Sequence, residues 1–352
     1  MFCDILTTEG GPYDGDPRWA LKRILNKAND LGYTFYVGPE LEYFYFRKPE
    51  GKPETVDSGG YFDLTPLDVA SDLRRDTVMA LAEMGIKAEY SHHEVAPSQH
   101  EIDLKYTDAL TMADNAMTYR LTVKEVAMQN GLYASFMPKP MFGQNGSGMH
   151  THQSLFRKKK NAFFNKDDAH HLSTEGKSYI AGLLRHAREI SSVVAQWVNS
   201  YKRLVPGYEA PVYVSWGSRN RSALVRVPMY KPGKENATRA EFRCPDPACN
   251  PYLAFAVMLA AGLKGIEQNY ELPDAVEEDI YRMPEEEREK RGIASLPSSL
   301  QEAIAETEKS ELVREALGDH IFGKFIENKK IEWDQYRTHI SQYELEKYFS
   351  VL

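Results

Sequence analysis

The chain has 352 residues, 42% of them hydrophobic, and a formal charge of −8 from 43 lysines and arginines against 51 aspartates and glutamates. That length allows a sizeable core, and the composition is that of an ordinary globular protein. The acidic excess argues against nucleic acid or an anionic membrane as the main partner.

Residues 2–6 read as a strand and 8–12 as a turn, so the chain opens inside an element and an upstream piece is expected. Asp16 and Pro17 form a helix start, with Asp16 as N-cap, and the helix runs through 18–31 to stop at Gly32. Residues 33–46 are strand-like and aromatic. Residues 66–84 and 108–130 read as helices ended by Gly85 and Gly131, and 173–201 as a long amphipathic helix. Strand-like stretches fall at 86–105, 132–156, 212–228 and 237–243. The nearly apolar run 252–263 is shorter than the roughly 20 residues a bilayer requires and reads as a buried core helix. Residues 268–299, rich in acidic residues and proline, form a solvated, mostly irregular excursion. Residues 299–317 and 330–349 return to helical periodicity. Helices and strands do not alternate regularly and no phosphate loop of the usual glycine spacing is present, so the fold class is α+β. Cys3, Cys244 and Cys249 make neither a disulfide framework nor a zinc spacing. With no signal-peptide pattern, the expected location is cytoplasmic.

Charge placed inside strands is the informative pattern. Side chains two apart on a strand share a face. Glu40 and Glu42 therefore share one, as do His150, His152 and Ser154, and as do Arg239, Glu241 and Arg243. Glu94 and Glu101 lie in a further strand region. If these faces line one cavity, carboxylates and an imidazole converge there and need compensating charge. A donor set of carboxylates with one imidazole and no thiolate suits Mg²⁺ or Mn²⁺. Six arginines, Arg203, Arg219, Arg221, Arg226, Arg239 and Arg243, fall within 41 residues. Guanidinium groups are suited to clamping phosphate and carboxylate.

Six stretches carry a resemblance. They are Gly-Pro-Glu-Leu-Glu (38–42), His-His-Glu-Val-Ala-Pro-Ser-Gln-His-Glu (92–101), the run from Lys139 to Ser154, the run from Lys202 to Pro211, Asn-Arg-Ser-Ala (220–223) and the run from Arg239 to Leu253. In this order, over nearly the whole chain, they closely resemble type I glutamine synthetase. The resemblance implies a glutamine synthetase catalytic domain over 1–352, with 264–352 as acidic excursion and helical tail. Its fold would be a curved antiparallel sheet forming half of an open barrel, with helices outside. It implies one metal on Glu42, Glu94 and Glu101 and a second on Glu40, His150 and Glu241, both Mg²⁺ or Mn²⁺, with ATP as a substrate. Asn145 and Gly146 would hold the amino-acid end of L-glutamate, Arg203 its α-carboxylate, and Arg243 its side chain. Glu89, His152 and Ser154 would contact the nucleotide. Arg221 and Arg239 would contact phosphate, and Arg226 belongs to the same basic strand. Glu209 matches a mobile flap glutamate and Tyr61 a tyrosine beside the ammonium site.

The activity so implied is ligation of ammonium to the γ-carboxyl of glutamate through γ-glutamyl phosphate. The rivals are a γ-glutamyl ligase for another small amine and a catalytically impaired relative. The family's N-terminal β-grasp domain, of roughly a hundred residues, is expected to be absent from 1–352, and with it an aspartate that deprotonates ammonium. A homo-oligomer with ring-type assembly is implied, locked by a tail resembling residues 331–352. Tyr281 sits where an adenylylated subgroup is modified, but a packing or loop role is expected for it.

Overall fold

The computed structural model describes residues 1–352. Its ten strands are β1 (Thr34–Phe46), β2 (Ala88–His93), β3 (Gln99–Leu104), β4 (Thr107–Asp108), β5 (Tyr133–Ser135), β6 (Met149–Arg157), β7 (Lys160–Asn161), β8 (Tyr213–Gly217), β9 (Ala223–Arg226) and β10 (Ala240–Phe242). They form one unclosed sheet whose main path runs β2-β3-β1-β6-β10-β9-β8. The first six members pair antiparallel, but β8 joins β9 in parallel. The expectation of a purely antiparallel sheet is thereby corrected to a mixed one. The link from β8 to β9 is too short for a helical crossover. Asn220 instead ties the segment between them by donating to the carbonyls of Val276 (2.9 Å) and Glu278 (2.7 Å).

Twelve α-helices surround the sheet. They are α1 (Pro17–Asp30), α2 (Ser71–Glu83), α3 (Ala109–Gln129), α4 (Thr174–Arg185), α5 (Ala187–Val194), α6 (Ser200–Arg203), α7 (Pro251–Glu267), α8 (Glu285–Lys290), α9 (Leu300–Glu308), α10 (Glu311–Leu317), α11 (Asp319–Arg337) and α12 (Gln342–Tyr348). Local chemistry explains their starts. Asp16 accepts the Arg18 N–H ahead of Pro17, Asp108 accepts that of Thr111, and Asn250 accepts those of Tyr252 and Leu253 ahead of Pro251. Helix α7 contains the apolar run and is buried almost all round, as a core helix must be. Helices α1, α3, α4, α5 and α10 pack against it, and together with the sheet they enclose a core of 68 buried residues. No helix is long and apolar enough to cross a membrane.

Three sequence expectations need correction. Residues 2–6 make only an isolated bridge, Leu6 to Pro12. Residues 66–70 are turns rather than helix, because the buried Asp68 carboxylate turns inward to the Arg74 guanidinium (2.6 Å), and α2 starts at Ser71. The single helix expected over 173–201 is three helices, α4, α5 and α6, with His186 at the first break and Ala195 ending α5.

Candidate active site

The sheet register assembles the site. Pairing of β1 with β6 sets Glu40 opposite His150, pairing of β1 with β3 sets Glu42 opposite Glu101, and pairing of β6 with β10 sets His152 opposite Glu241. Residues far apart in the chain thus meet on one face. Of these, Glu40, Glu42, Glu101 and His150 line a cavity of 230 Å³ together with Glu94, Asn145, Gly146, Tyr61, Glu209 and four arginines, Arg203, Arg221, Arg226 and Arg243. A second cavity of 460 Å³ adjoins it, sharing Glu40, Tyr90 and Asp103, and is lined by Glu89, His152, Ser154 and Arg239. The candidate site residues line one or other of these spaces except Glu241, which is fully buried in the wall behind Arg226 and Arg243.

Around His150, Nδ1 lies 3.2 Å from Glu40, 3.9 Å from Glu42 and 4.0 Å from Glu241. Burial, with the Arg243 charge nearby, holds this imidazole down to about 4, so it is neutral at pH 7. The neighbouring carboxylates are locally balanced. Arg243 donates to Glu241 at 2.7 Å and Arg226 donates to its other oxygen. Burial is the largest influence on Glu241 and opposes its ionisation, but Arg243, His152 and Arg226 together outweigh it and hold the group down at about 2. Arg239 donates to His152 Nδ1 (3.0 Å), so the proton of a neutral His152 is on Nε2, which donates to Glu40 at 2.6 Å. Against the opposing effect of burial, His152 and His150 hold Glu40 well below the usual carboxylate range.

The other half of the cavity is different. Burial and the Glu94 charge push Glu42 well above the usual range. Burial, then the charges of Asp103 and Glu42, do the same to Glu101. Asp103 is itself raised to about 6 by burial. These carboxylates crowd together without a cation of their own.

Three candidate ligand groups lie within 4.8 Å of one another: Glu40, His150 and Glu241; His92, Glu94 and Glu101; and Glu40, Glu101 and Asp103. The first matches an expected triad. In the second, His92 stands where Glu42 was expected. Glu42 instead accepts from Gln99 Nε2 (2.8 Å) and the Gly148 N–H (3.0 Å), between the two groups. A donor chemistry dominated by carboxylates, with one imidazole in each of the first two groups and no thiolate, fits hard divalent cations, which would relieve the crowding.

The remaining groups are held by loops. Arg203 is buried and donates to the carbonyls of Cys244 (2.8 Å) and Arg243 (3.0 Å). Gly148 permits its approach, because a Cβ there would lie 2.6 Å from its guanidinium. Arg221 lies over the Tyr61 ring at 5.6 Å. Glu209 is exposed with a left-handed backbone (φ 58°), and Arg243 reaches its carbonyl at 3.4 Å. The Tyr281 hydroxyl donates to the Ala210 carbonyl, in keeping with a loop role. The sequence reading passes over His92, Asp103, Gln99, Phe62 and Tyr90, all of which line the cavity. Alternation offered two of them, since His92 is two from Glu94 and Asp103 two from Glu101.

Comparison with known proteins agrees. The family described as "Glutamine synthetase, catalytic domain" matches residues 14–348. The chain is 54% identical to the glutamine synthetase of Mycolicibacterium smegmatis over 354 aligned residues, covering all of this chain and 79% of that protein. It is 52% identical to the glutamine synthetase of Thermotoga maritima, covering 99% and 79% respectively. Among solved structures, one described as a GmaS/ADP complex superposes with a TM-score of 0.88 at 32% identity, covering 97% of this chain and 79% of the other. The Plasmodium falciparum glutamine synthetase superposes at 0.89 with 26% identity, covering 98% and 81%.

Proposed function

Because this chain is a member of the glutamine synthetase catalytic-domain family, we propose that it is a glutamate–ammonia ligase, joining ammonium to the γ-carboxyl of L-glutamate with ATP and releasing glutamine, ADP and phosphate. The observation that carries this reading is the meeting of Glu40, Glu42, Glu94, Glu101, His150 and three buried or half-buried arginines in one cavity beside a second that suits a nucleotide.

The chemistry follows from the roles of these side chains. Asn145 and Gly146 receive the amino-acid end of glutamate, Arg203 its α-carboxylate, and Arg243 its side chain. ATP lies in the adjoining cavity against Glu89, His152 and Ser154, with Arg239, Arg226 and Arg221 toward its phosphates. A γ-carboxylate oxygen attacks the γ-phosphorus, the bond to the β–γ bridging oxygen breaks, and ADP leaves with that electron pair. The arginines stabilise charge on the transferring group. Mg²⁺ or Mn²⁺, held by Glu42, Glu94 and Glu101 (with His92 beside them) and by Glu40, His150 and Glu241, would neutralise phosphate and carboxylate charge. The deprotonated amine then attacks the acyl carbon and phosphate departs with the C–O electron pair. Tyr61 borders the acceptor end. Glu209, itself exposed in the turn 206–209, keeps water from the acyl phosphate.

We assign residues 1–352 to one catalytic domain working in the cytoplasm. Its assembly would be homo-oligomeric, with the apolar residues of α12 covered by another copy.

Amide formation and phosphate release, measured with glutamate, ATP and Mg²⁺, test the reading. Amide from ammonium supports it. Product from methylamine, ethanolamine or putrescine alone transfers the reading to the larger-amine ligase. No product from any of them refutes both. Glu209→Ala should raise the ratio of phosphate released to amide formed by about tenfold, through hydrolysis of the exposed acyl phosphate. An unchanged ratio would leave Glu209 a structural part only.

A further inference from the structure

The segment 47–62 leaves β1 and returns to the cavity carrying Tyr61 and Phe62, which line it. Phe62 lies flat on His92, with centroids 4.5 Å apart and planes at 10°, and Tyr61 stands edge-on to both rings. His92 Nε2 is in turn 2.9 Å from Glu94. This aromatic wall is exposed to solvent on its outer side, so its position depends on what fastens the segment.

Three side chains do so. Ser98, in the turn between β2 and β3, has φ 61°, a conformation that glycine adopts freely and serine seldom. Its N–H donates to Asp57 Oδ1 at 2.7 Å, and its Oγ accepts from the N–H groups of Val56 (2.7 Å) and Asp57 (3.2 Å). The same Asp57 oxygen accepts from Gly59 N–H at 3.3 Å and lies 3.1 Å from His93 Nε2. His93 Nδ1 donates to the Glu94 carbonyl at 2.7 Å, and the His93 carbonyl accepts from Phe62 N–H at 3.0 Å.

Asp57, His93 and His100 also lie close enough to resemble a metal triad. The hydrogen bonds argue against that use. Arg74 can only donate, and it lies 2.9 Å from His100 Nδ1, so that lone pair is taken and Nε2 bears the proton. Both nitrogens of His93 face oxygen acceptors, which leaves no lone pair for a cation. The arrangement is a clasp, not a metal site.

We propose that Asp57, His93 and Ser98 are positioning residues that fasten the Tyr61–Phe62 wall to the turn bearing Glu94, and so set the room available to the amine. The proposal rests on the ligase reading above. Of the residues assigned to glutamate and ATP, only Glu89, at the opposite end of β2 from His93, shares an element with this clasp; the others belong to segments 143–148, α6, β6, 221–226 and 239–243. Loosening it should therefore act on the acceptor and spare the other two substrates.

Ser98→Gly tests this, because glycine keeps the backbone conformation while the Oγ clasp is lost. Asp57→Asn is the second variant. Hydrogen exchange should quicken at the Val56 and Asp57 amides in Ser98→Gly by about tenfold. In both variants KM for ammonium should rise about tenfold and methylamine should gain on ammonium, while KM for glutamate and for ATP stays within about twofold. Unchanged exchange in Ser98→Gly, or KM values that move together for all three substrates, would overturn the proposal. If the unaltered chain forms no amide, the ligase reading falls instead. Faster exchange would still uphold the clasp, and unchanged exchange would still overturn it.

Discussion

Asp246 is a carboxylate with no exposure and an incomplete set of partners. It accepts from the Ala248 N–H at 3.0 Å, while its second oxygen has none. Burial pushes it up to about 6 from 3.8, although Ser200, Arg203 and Arg120 pull the other way. The folded state therefore holds this proton more tightly than the unfolded chain. The resulting stability is fully present below pH 3.8 and is lost as pH rises through about 6. Asp246→Asn, which mimics the protonated form, should stabilise the fold by about 3 kcal/mol near pH 8 and by almost nothing below about pH 4. Urea unfolding at the two pH values checks it, and an equal effect at both would mean that the arginines already neutralise the buried charge. At this scale the sequence is informative about faces and silent about rotamers. The spacing of Glu40 and Glu42 declares a shared face, and β1 keeps it. Nothing in that spacing tells that the Glu42 carboxylate turns to Gln99 and Gly148, or that His92 takes its place beside Glu94.

Helices α4 and α7 meet backbone to backbone. A Cβ on Gly182 would lie 2.2 Å from the Ala261 carbonyl oxygen, and one on Gly265 would lie 2.0 Å from that of Ser178. No flexible side-chain end is there to move aside, so the helices must separate. Gly182→Ala should cost about 3 kcal/mol, at the upper end of overpacking effects. The denaturation midpoint should fall with an unchanged slope; a midpoint that stays put would mean that the crossing can widen freely. Helix existence was legible wherever caps and periodicity agreed, as at Asp16-Pro17 for α1 and Asn250-Pro251 for α7. Breaks set by tertiary packing were not. Residues 182–188 contain no proline and no asparagine that would announce the end of α4 at His186. The parallel pairing of β8 with β9 is equally hidden, because it depends on Asn220 reaching a segment more than fifty residues away. By contrast, the Ser341–Glu344 capping box that opens α12 was available to the eye.

On the scale of the molecule, α12 has no buried residue, and Ile340, Tyr343, Leu345, Tyr348, Phe349 and Val351 are exposed around it. Apolar exposure of this kind marks a contact surface. Replacing Leu345 and Phe349 together by aspartate should lower the assembly mass by about twofold or more, the result expected if this tail joins copies of the chain, with circular dichroism unchanged. Light scattering decides it, and an unaltered mass would remove α12 from the contact. The general plan, a sheet with helices outside and a charged face within, was readable because polar or charged residues recur at every second position in 40–42, 150–154 and 239–243. The order in which the strands meet was not, since it rests on pairings between distant segments. That order has a consequence for how such a protein can change. β1 pairs with β3, β4, β5 and β6 and bears Glu40 and Glu42, so a one-residue slip there would turn both carboxylates to the wrong face and disturb every neighbour. The acceptor wall belongs to a surface segment, 47–62, held to the sheet by a single bridge from Thr55 to Phe46 and by the clasp. A lineage can therefore revise what it accepts by rewriting a border while its central strand stays fixed, and new appetites need not threaten the machinery that feeds them.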